Sequence, residues 1–319
     1  MSTEPSTDLV PAKHGGDLVA HSTEVLAHHS KSFRLASYFL PRQSRQDAAV
    51  LYAVCRLIDD LADEADDMEE ASEHLRLLRL EIAGERPPRP LIDEFLSVAD
   101  RREMDLSFAL ELIQGVESDL DEVIFESDER LLRYCYRVAG TVGLMMCAVL
   151  GVDNHQGLAH AIDLGVAMQI TNICRDVLED AQRGRVYLPA ARLEEVGVQP
   201  QQLLAGEVTS EDIAPVVNDL LDLAERYYES ADKGMRYIPA RARLAIIIAS
   251  RVYRAIGLKL RWRGTPVLEG RTVVSLPAKC LWVFVALFQW VRLSLPGSTE
   301  PGHEEQLHQP LRGLPGVQS

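Results

Sequence analysis

The chain has 319 residues, and its 33 Lys and Arg residues against 48 Asp and Glu residues give a formal net charge of −15. Hydrophobic residues make up 47% and charged residues 25%, the mixture of a folded globular protein, which excludes wholesale disorder, collagen and coiled-coil filaments. The acidic balance disfavours nucleic acid as a partner, because phosphate backbones repel such a chain. The first residues lack the apolar run of a signal peptide, which predicts a cytoplasmic protein.

The two ends of the chain differ in composition from its centre. Residues 1–17 and 296–319 are rich in Pro, Gly, Ser, His and Glu, and we expect both to be flexible tails. Between them, in residues 18–295, almost every segment repeats its apolar residues three and four positions apart, and Gly and Pro separate the segments. No alternating strand pattern occurs. The sequence therefore predicts an all-α, single-domain helical bundle. Its central helices should be Leu131–Val149 and Leu158–Leu178, which are apolar nearly all round.

Two acidic motifs stand out, each on a predicted helix. Asp59 and Asp63 lie four residues apart and share one helical face, with Arg56 one turn earlier. The second motif is a stripe of four polar residues at spacings of three, four and four: Gln169, Asn172, Asp176 and Asp180. A solvated acidic surface is an alternative for the first motif, because residues 59–73 contain nine acids. The apolar neighbours of the second motif disfavour that alternative there.

Carboxylates on two apolar helices need a partner of opposite charge. Like charges four residues apart on a helix repel, and a buried carboxylate is costly unless something neutralises it. Two such pairs facing each other across a bundle would form an oxygen-rich cage. Mg²⁺ suits this cage, since it takes one or two carboxylates and shares phosphate oxygens with a substrate; Mn²⁺ is an alternative. The motifs therefore predict a divalent metal site for a phosphorylated substrate.

Three further stretches resemble those of the squalene/phytoene synthase family, and the resemblance covers roughly residues 25–280. The stretches are His29-Ser-Lys-Ser-Phe33, Tyr134-Cys-Tyr-Arg-Val-Ala-Gly-Thr-Val-Gly143 and Arg183-Gly-Arg-Val-Tyr-Leu-Pro189. The resemblance implies a helical bundle of the isoprenoid synthase type with a central apolar cavity. It also implies that two Asp-rich helices hold Mg²⁺ around prenyl diphosphates.

The resemblance further implies roles for individual residues. The metal ligands would be Asp59, Asp63, Asp176 and Asp180. The catalytic residues would be Arg56, Tyr134, Arg175 and Tyr253. The substrate-binding residues would be His29, Ser30 and Phe33 at one end of the channel, Val138, Ala139, Val142 and Gly143 along it, and Gln169, Asn172, Arg271 and Lys279 near the diphosphates.

A basic stretch favours the same substrate class independently. Residues 233–279 contain eleven Lys and Arg residues and one acid, in a chain that is otherwise strongly acidic. Such a concentration suits pyrophosphate or an anionic membrane surface. Ordinary ion pairs with the acidic runs at 59–73 and 117–129 are the alternative.

The reaction that the resemblance implies is the head-to-head condensation of two prenyl diphosphates through a cyclopropyl diphosphate intermediate. The sequence from Asn172 to Pro189 resembles that of bacterial phytoene synthases most. This resemblance predicts that two geranylgeranyl diphosphates give phytoene in carotenoid biosynthesis. Two farnesyl diphosphates giving squalene, dehydrosqualene or presqualene diphosphate are the alternative, with NADPH needed only for squalene. A non-catalytic assembly factor of the same fold is a remote alternative, because such relatives lose acidic ligands. A di-iron bundle is disfavoured, because neither acidic helix carries ExxH.

Residues 280–294 form an apolar segment that contains four aromatic residues: Trp282, Phe284, Phe288 and Trp290. Gln289 and Arg292 interrupt it, and it is too short for a typical membrane span. It could lie along a membrane interface, where Trp residues concentrate, or pack on the bundle as a final core helix. The first alternative predicts a cytoplasmic protein in peripheral contact with the inner face of the membrane.

Overall fold

The computed structural model describes residues 40–63, 65, 67–120, 123–294 and 302–318. Over these residues the chain forms twelve α-helices and one pair of two-residue parallel strands, β1 (Val123–Ile124) and β2 (Arg185–Val186). The helices are α1 (Arg42–Asp63), α2 (Met68–Ile82), α3 (Pro90–Arg101), α4 (Ser107–Glu117), α5 (Asp128–Cys135), α6 (Thr141–Leu150), α7 (His155–Gln182), α8 (Ala190–Glu195), α9 (Pro200–Leu204), α10 (Ser210–Gly234), α11 (Ala240–Trp262) and α12 (Leu276–Leu293). The predicted all-α class is confirmed.

Short polar side chains fix where the long central helices begin. The side chain of Asn154 caps α7 by accepting hydrogen bonds from the backbone N–H groups of Gln156 and Gly157 at 2.8 and 3.3 Å. Thr209 caps α10 and forms a reciprocal capping box with Asp212. Such caps satisfy backbone donors that have no partner in the first turn of a helix.

Helix α7 runs through the middle of the bundle. Its buried side chains occur on several faces, among them Ile162, Val166, Ile170 and Ile173, because neighbouring helices cover it on most sides. One continuous cluster of buried hydrophobic residues extends from Leu40 to Leu314 and includes side chains from most of the helices. The predicted central position of this segment therefore agrees with the packing.

A π-helical turn, Tyr136–Gly140, joins α5 to α6 where the sequence predicts an unbroken helix. This turn packs backbone against backbone on α7. A Cβ atom at Gly165 of α7 would collide with the backbone of Ala139 and Gly140, and one at Gly143 would lie 2.6 Å from the carbonyl oxygen of Ala161. The two glycines therefore allow a close approach that no larger residue permits.

The C-terminal segment 302–318 is not a flexible tail, which corrects the expectation for this part of 296–319. It contains a short 3₁₀ helix, Glu305–Leu311, whose Leu307 and Leu311 are buried in the core. The hydroxyl of Tyr227 donates to the backbone oxygen of Leu307 at 2.7 Å. Composition alone pointed to a tail because the few apolar residues of this segment are separated by Pro, Gly and His. The other predicted tail, 1–17, lies outside the described residues.

Helix α12 packs on α11 through one face only. Ala286 is fully buried, and the Nε1 group of Trp290 donates to the backbone oxygen of Ala240 at 2.8 Å. The side chain of Gln289 accepts from Arg251 at 2.9 Å. The opposite face, which we call the outer face of α12, remains exposed and is formed by Leu281, Phe284, Val285, Leu287, Phe288 and Val291. By length and composition this is the one helix among the described residues that could cross a membrane.

Candidate active site

A cavity of about 580 Å³ lies among the π turn and helices α6, α7, α10 and α11. Its walls are mostly apolar, and the four residues predicted to line a channel all lie on them: Val138, Ala139, Val142 and Gly143. Val138 and Ala139 belong to the π turn, and the backbone of Ala139 packs against Gly165 of α7. The cavity suits a long apolar ligand, because its walls demand few hydrogen bonds.

Six polar residues predicted from the sequence also line this cavity: Gln169, Asn172, Arg175, Tyr253, Arg271 and Lys279. The side-chain amide of Asn172 donates to Gln169 at 3.2 Å, while its own oxygen, Oδ1, is buried and accepts no hydrogen bond from the part of the chain that the structure describes. An unpaired buried oxygen is costly in an apolar interior. Asn172 Oδ1 therefore offers an acceptor or a metal ligand to whatever binds here.

Asp176 lies one turn beyond Asn172, where α7 is kinked: its backbone has φ −104° and ψ 15°. Its carboxylate forms a bidentate ion pair with the Arg175 guanidinium, and Arg271 reaches it from another segment at 3.1 Å. These two arginines supply the positive charge that a half-buried carboxylate requires. Arg271 thereby connects the second acidic motif directly to the basic stretch.

Asp180 is half-buried on the same stripe as Asp176. Burial and the nearby carboxylates of Asp176 and Asp119 together raise the pKa of Asp180 to about 7, although Arg185 and Arg183 act in the opposite direction. A carboxyl that is crowded by two others and has no ion pair with another described residue is a site where a divalent cation would relieve repulsion.

Asp119 and Tyr187 were not selected from the sequence, yet they lie beside the second acidic motif. The hydroxyls of Tyr134 and Tyr187 donate to the two oxygens of Asp119 at 2.7 and 3.0 Å, and the two rings stack at 5.0 Å. Tyr134 is buried here and is not among the residues that line the cavity. The signal that could have found Tyr187 is its position within Arg183–Pro189.

The first acidic motif lies on the exposed end of α1. Asp59 is exposed, the side chain of Asp63 is outside the described residues, and Arg56 pairs with Asp60 at 2.5 Å. Burial raises the pKa of Tyr52, and the neighbouring Tyr253 and Asp59 raise it further against Arg56. Since Tyr253 lines the cavity, this face of α1 lies close to the cavity's polar end. His29, Ser30 and Phe33 also lie outside the described residues.

Comparison with known proteins identifies the family. A sequence model described as squalene/phytoene synthase matches residues 26–278. The chain belongs to the squalene/phytoene synthase family. It is a prenyltransferase with the all-α fold of that family. The match spans both acidic motifs and every residue named above on the cavity wall except Lys279.

Individual relatives agree with this assignment. The chain is 36% identical to a 15-cis-phytoene synthase from Paracoccus sp. over 292 residues, 88% of this chain and 95% of that one. It is 37% identical to a 15-cis-phytoene synthase from Enterobacter agglomerans over 273 residues, 82% of this chain and 92% of that one. The crystal structure of a dehydrosqualene synthase with ligand superposes with a TM-score of 0.78 at 28% identity and covers 87% of this chain and 98% of that one.

Proposed function

We propose that this chain is a phytoene synthase, which joins two molecules of geranylgeranyl diphosphate head to head through a cyclopropyl diphosphate intermediate. The observation that carries the proposal is the division of the cavity: apolar walls along most of its length, and three cations, Arg175, Arg271 and Lys279, at its polar end. Phytoene synthases are also the curated relatives with 36% and 37% identity over most of the chain. Condensation of two farnesyl diphosphates is the second candidate, favoured by the dehydrosqualene synthase structure.

We further propose that Asp59, Asp63, Asp176 and Asp180 hold Mg²⁺. The donor set fits the ion: Asp180 is crowded by neighbouring carboxylates, and no described residue forms a hydrogen bond with the buried oxygen of Asn172. When bound, Mg²⁺ would supply positive charge to the departing diphosphate. Mn²⁺ has the same preference for oxygen ligands.

The residues of the site have two roles: some bind diphosphate, and others exclude water. Arg175 and Arg271 are each within reach of Asp176, so both can turn from that carboxylate to diphosphate oxygens as substrate binds. The allylic cation that remains needs surroundings without water, because water would quench it. Val138, Ala139 and Val142 supply those surroundings where they line the cavity. Tyr253 also lines the cavity and lies close to Arg175, so it belongs to the polar end.

The experiment is incubation of the purified protein and MgCl₂ with geranylgeranyl diphosphate or with farnesyl diphosphate, with and without NADPH, followed by extraction and chromatography of the hydrocarbons. We expect phytoene from geranylgeranyl diphosphate, no requirement for NADPH, and loss of product with EDTA. A faster reaction with farnesyl diphosphate would move the assignment to the second candidate. No product from either diphosphate would contradict both.

The length of the bound chain can be tested at the cavity wall. Phe at Ala139 or Val142 fills space beside α7, so Ala139→Phe and Val142→Phe should favour farnesyl over geranylgeranyl diphosphate or abolish condensation. Ala83→Phe, at an exposed position after α2, is the control for the added ring. Unchanged preference in both cavity variants would contradict the proposed path of the chain.

We also propose that the protein is cytoplasmic and binds the inner face of the membrane through the outer face of α12. Phe284 and Phe288 are 69% and 74% exposed, and Val273, which lines the cavity, is 62% exposed near the same helix. The cavity wall is therefore exposed beside α12 at an apolar residue, which suits the release of a hydrocarbon product of very low solubility in water. Arg292 lies on the same helix and can meet anionic lipid headgroups.

Liposome co-sedimentation tests this contact. We expect Phe284→Ser/Phe288→Ser to release the protein from anionic vesicles, while Met68→Ser, at an exposed apolar position on α2, does not. Trp282 and Trp290 are half-buried against the bundle and are therefore poorer probes than the sequence suggested. A wild-type protein that stays in the supernatant at low salt would contradict the membrane contact.

A further inference from the structure

A buried polar cluster lies at the end of the cavity farthest from the three cations. His160, 2% exposed, lines the cavity on α7, and the 15 residues from His160 to Arg175 span about 22 Å of helix. Beside it is Asp163, which is fully buried. A hydrocarbon cavity does not require a polar group at this end, so the cluster calls for an explanation.

Hydrogen bonds connect every member of the cluster to Asp163. Ser230 of α10 donates to one carboxylate oxygen, Oδ2, at 2.6 Å. His303 and His308, from the C-terminal segment, contact Oδ2 and Oδ1 through Nε2 at 2.9 Å each. His160, Asp163 and His303 also have donor atoms close enough together for a metal ion. Hydrogen bonds already use the lone pairs of Asp163, however, and a divalent cation would leave this buried site with net charge.

The network fixes which nitrogen of His160 carries hydrogen. Nδ1 of His160 lies 3.0 Å from the Ser230 hydroxyl. That hydroxyl has one hydrogen, and it points to Asp163, so its oxygen must accept from Nδ1–H. In the neutral ring, Nε2 then carries a lone pair rather than a hydrogen. Nε2 is buried and has no hydrogen-bond partner among the described residues.

We propose that His160 is a specificity determinant at the far end of the cavity, where its Nε2 accepts a hydrogen bond from a donor beyond the end of the bound prenyl chain. A water molecule is the donor with the natural hydrocarbon substrate, and a hydroxyl replaces that water in a prenyl chain hydroxylated at its far end. A longer hydrocarbon chain displaces the water and leaves Nε2 unpaired, so the cavity disfavours it. This inference rests on the proposed function and adds the far-end chemistry of the same substrate class.

The ring is held in place for this role. The other edge of His160 is bound through Ser230, and a Cβ atom at Gly234 would collide with the His160 ring, so α10 approaches too closely for the ring to move in that direction. Tyr237 stacks on the ring at 6.1 Å. A hydrogen-bond acceptor in a fixed position discriminates better than one on a mobile side chain.

The test measures binding without turnover, using unreactive thiodiphosphate analogues of geranylgeranyl diphosphate with and without a hydroxyl at the far end of the chain. Dissociation constants are determined by calorimetry with Mg²⁺ for the wild type, His160→Leu and His160→Gln. Leu has a similar volume without an acceptor, and the Gln amide oxygen replaces Nε2. We expect the hydroxyl to favour binding about tenfold more in the wild type and in His160→Gln than in His160→Leu.

An equal effect of the hydroxyl in the wild type and in His160→Leu would overturn the proposal but leave the proposed function standing. If neither analogue binds the wild type, the proposed function fails and this inference fails with it. The wild type alone provides a second measurement that does not depend on a variant folding. A farnesylgeranyl analogue, one prenyl unit longer, should bind about tenfold more weakly than the geranylgeranyl analogue, and equal or tighter binding would overturn the proposal.

Discussion

Helix α7 carries carboxylates near both ends of the cavity, and their surroundings differ. At the far end, burial would raise the pKa of Asp163, but contacts with His160, His303 and His308 outweigh it and hold the pKa of this carboxyl well below its ordinary value. At the polar end, burial and two neighbouring carboxylates raise the pKa of Asp180 to about 7. One carboxylate is fully paired by the fold, and the other is crowded by charges of its own sign.

The two carboxylates on this helix therefore have different roles: Asp163 stabilises the fold, and Asp180 belongs to the functional site. A buried charge with a complete set of partners ties elements together, and here Asp163 ties α7 to α10 and to the C-terminal segment. A crowded carboxylate contributes little to folding, and its arrangement becomes favourable only when a cation or a cationic ligand arrives. Substitutions at the two ends should therefore affect different measurements.

The largest effect should follow from Asp180→Asn. This change removes a charge from the proposed metal site while preserving shape, so turnover should fall at least about a hundredfold, because each 1.36 kcal/mol of lost transition-state stabilisation is worth tenfold in rate. The melting temperature should change little, because the neighbouring carboxylates crowd Asp180 in the folded protein. Asp153→Asn, at an exposed position just before α7, is the matched control. Near-normal turnover of Asp180→Asn with geranylgeranyl diphosphate would show that Asp180 has no part in the reaction.

Asp163→Asn should show the opposite pattern. Its partners would lose the charge that they surround, and breaking a buried pair of this kind costs about 3–5 kcal/mol of unfolding free energy, measurable by urea denaturation. A variant as stable as the wild type would show that the network does not hold the fold together. Asp153→Asn again supplies the control, since its carboxylate is exposed.

The stability from Asp163 should also depend on pH in a defined direction. Because its folded pKa lies below that of the unfolded chain, its contribution is present above the unfolded pKa of about 3.9 and is lost as the pH falls below that value. The difference in unfolding free energy between the wild type and Asp163→Asn should therefore become smaller as the pH is lowered from 6. Most of this loss should occur within about two pH units below 3.9. A difference that grows on acidification would contradict the assignment of a low pKa.

Between the two ends, Gly165→Ala tests the close packing of α7 on the π turn. The added methyl would collide with the backbone of Ala139 and Gly140, which cannot move without displacing the cavity wall. We expect a loss of about 1–3 kcal/mol in unfolding free energy together with weaker substrate binding. Gly302→Ala is the matched control, because a Cβ atom there meets nothing within 4 Å. An unchanged unfolding free energy for Gly165→Ala would mean that α7 and the π turn can move apart to accommodate the added methyl group.

Helical periodicity was sufficient to predict the all-α class and the central position of α7. It also placed Gln169 and Asn172 of the polar stripe on the wall of one cavity, because residues three and four apart share a face of any regular helix. The spacing of residues along one helix depends only on the local sequence, so it is preserved when the chain folds. The same rule explains why Arg271 was found only through the resemblance: it lies in an irregular segment that has no period.

What periodicity could not supply is contact between distant segments. Asp119 meets Tyr187 across 68 residues, and His308 meets Asp163 across 145 residues, so no local pattern marks either pair. The π turn is also absent from the pattern, since one extra residue in a turn changes the phase of a helix without changing its composition. The C-terminal segment was misjudged for the first of these reasons, because its anchors lie on α7 and α10.

The smallest expected effect compares single hydroxyls at the two ends. The hydroxyl of Tyr187 donates to the charged Asp119, whereas that of Tyr227 donates to the neutral backbone oxygen of Leu307. Both rings are buried, so Phe replaces each without exposing apolar surface. Hydrogen bonds to charged groups contribute about 1.5–3 kcal/mol and neutral ones about 0.5–1.5 kcal/mol, so Tyr187→Phe should lower the unfolding free energy more than Tyr227→Phe. Only Tyr187→Phe should also change turnover, because Asp119 adjoins Asp180. If Tyr227→Phe changes turnover as much, the two ends of α7 are not separated in the way that their carboxylates indicate.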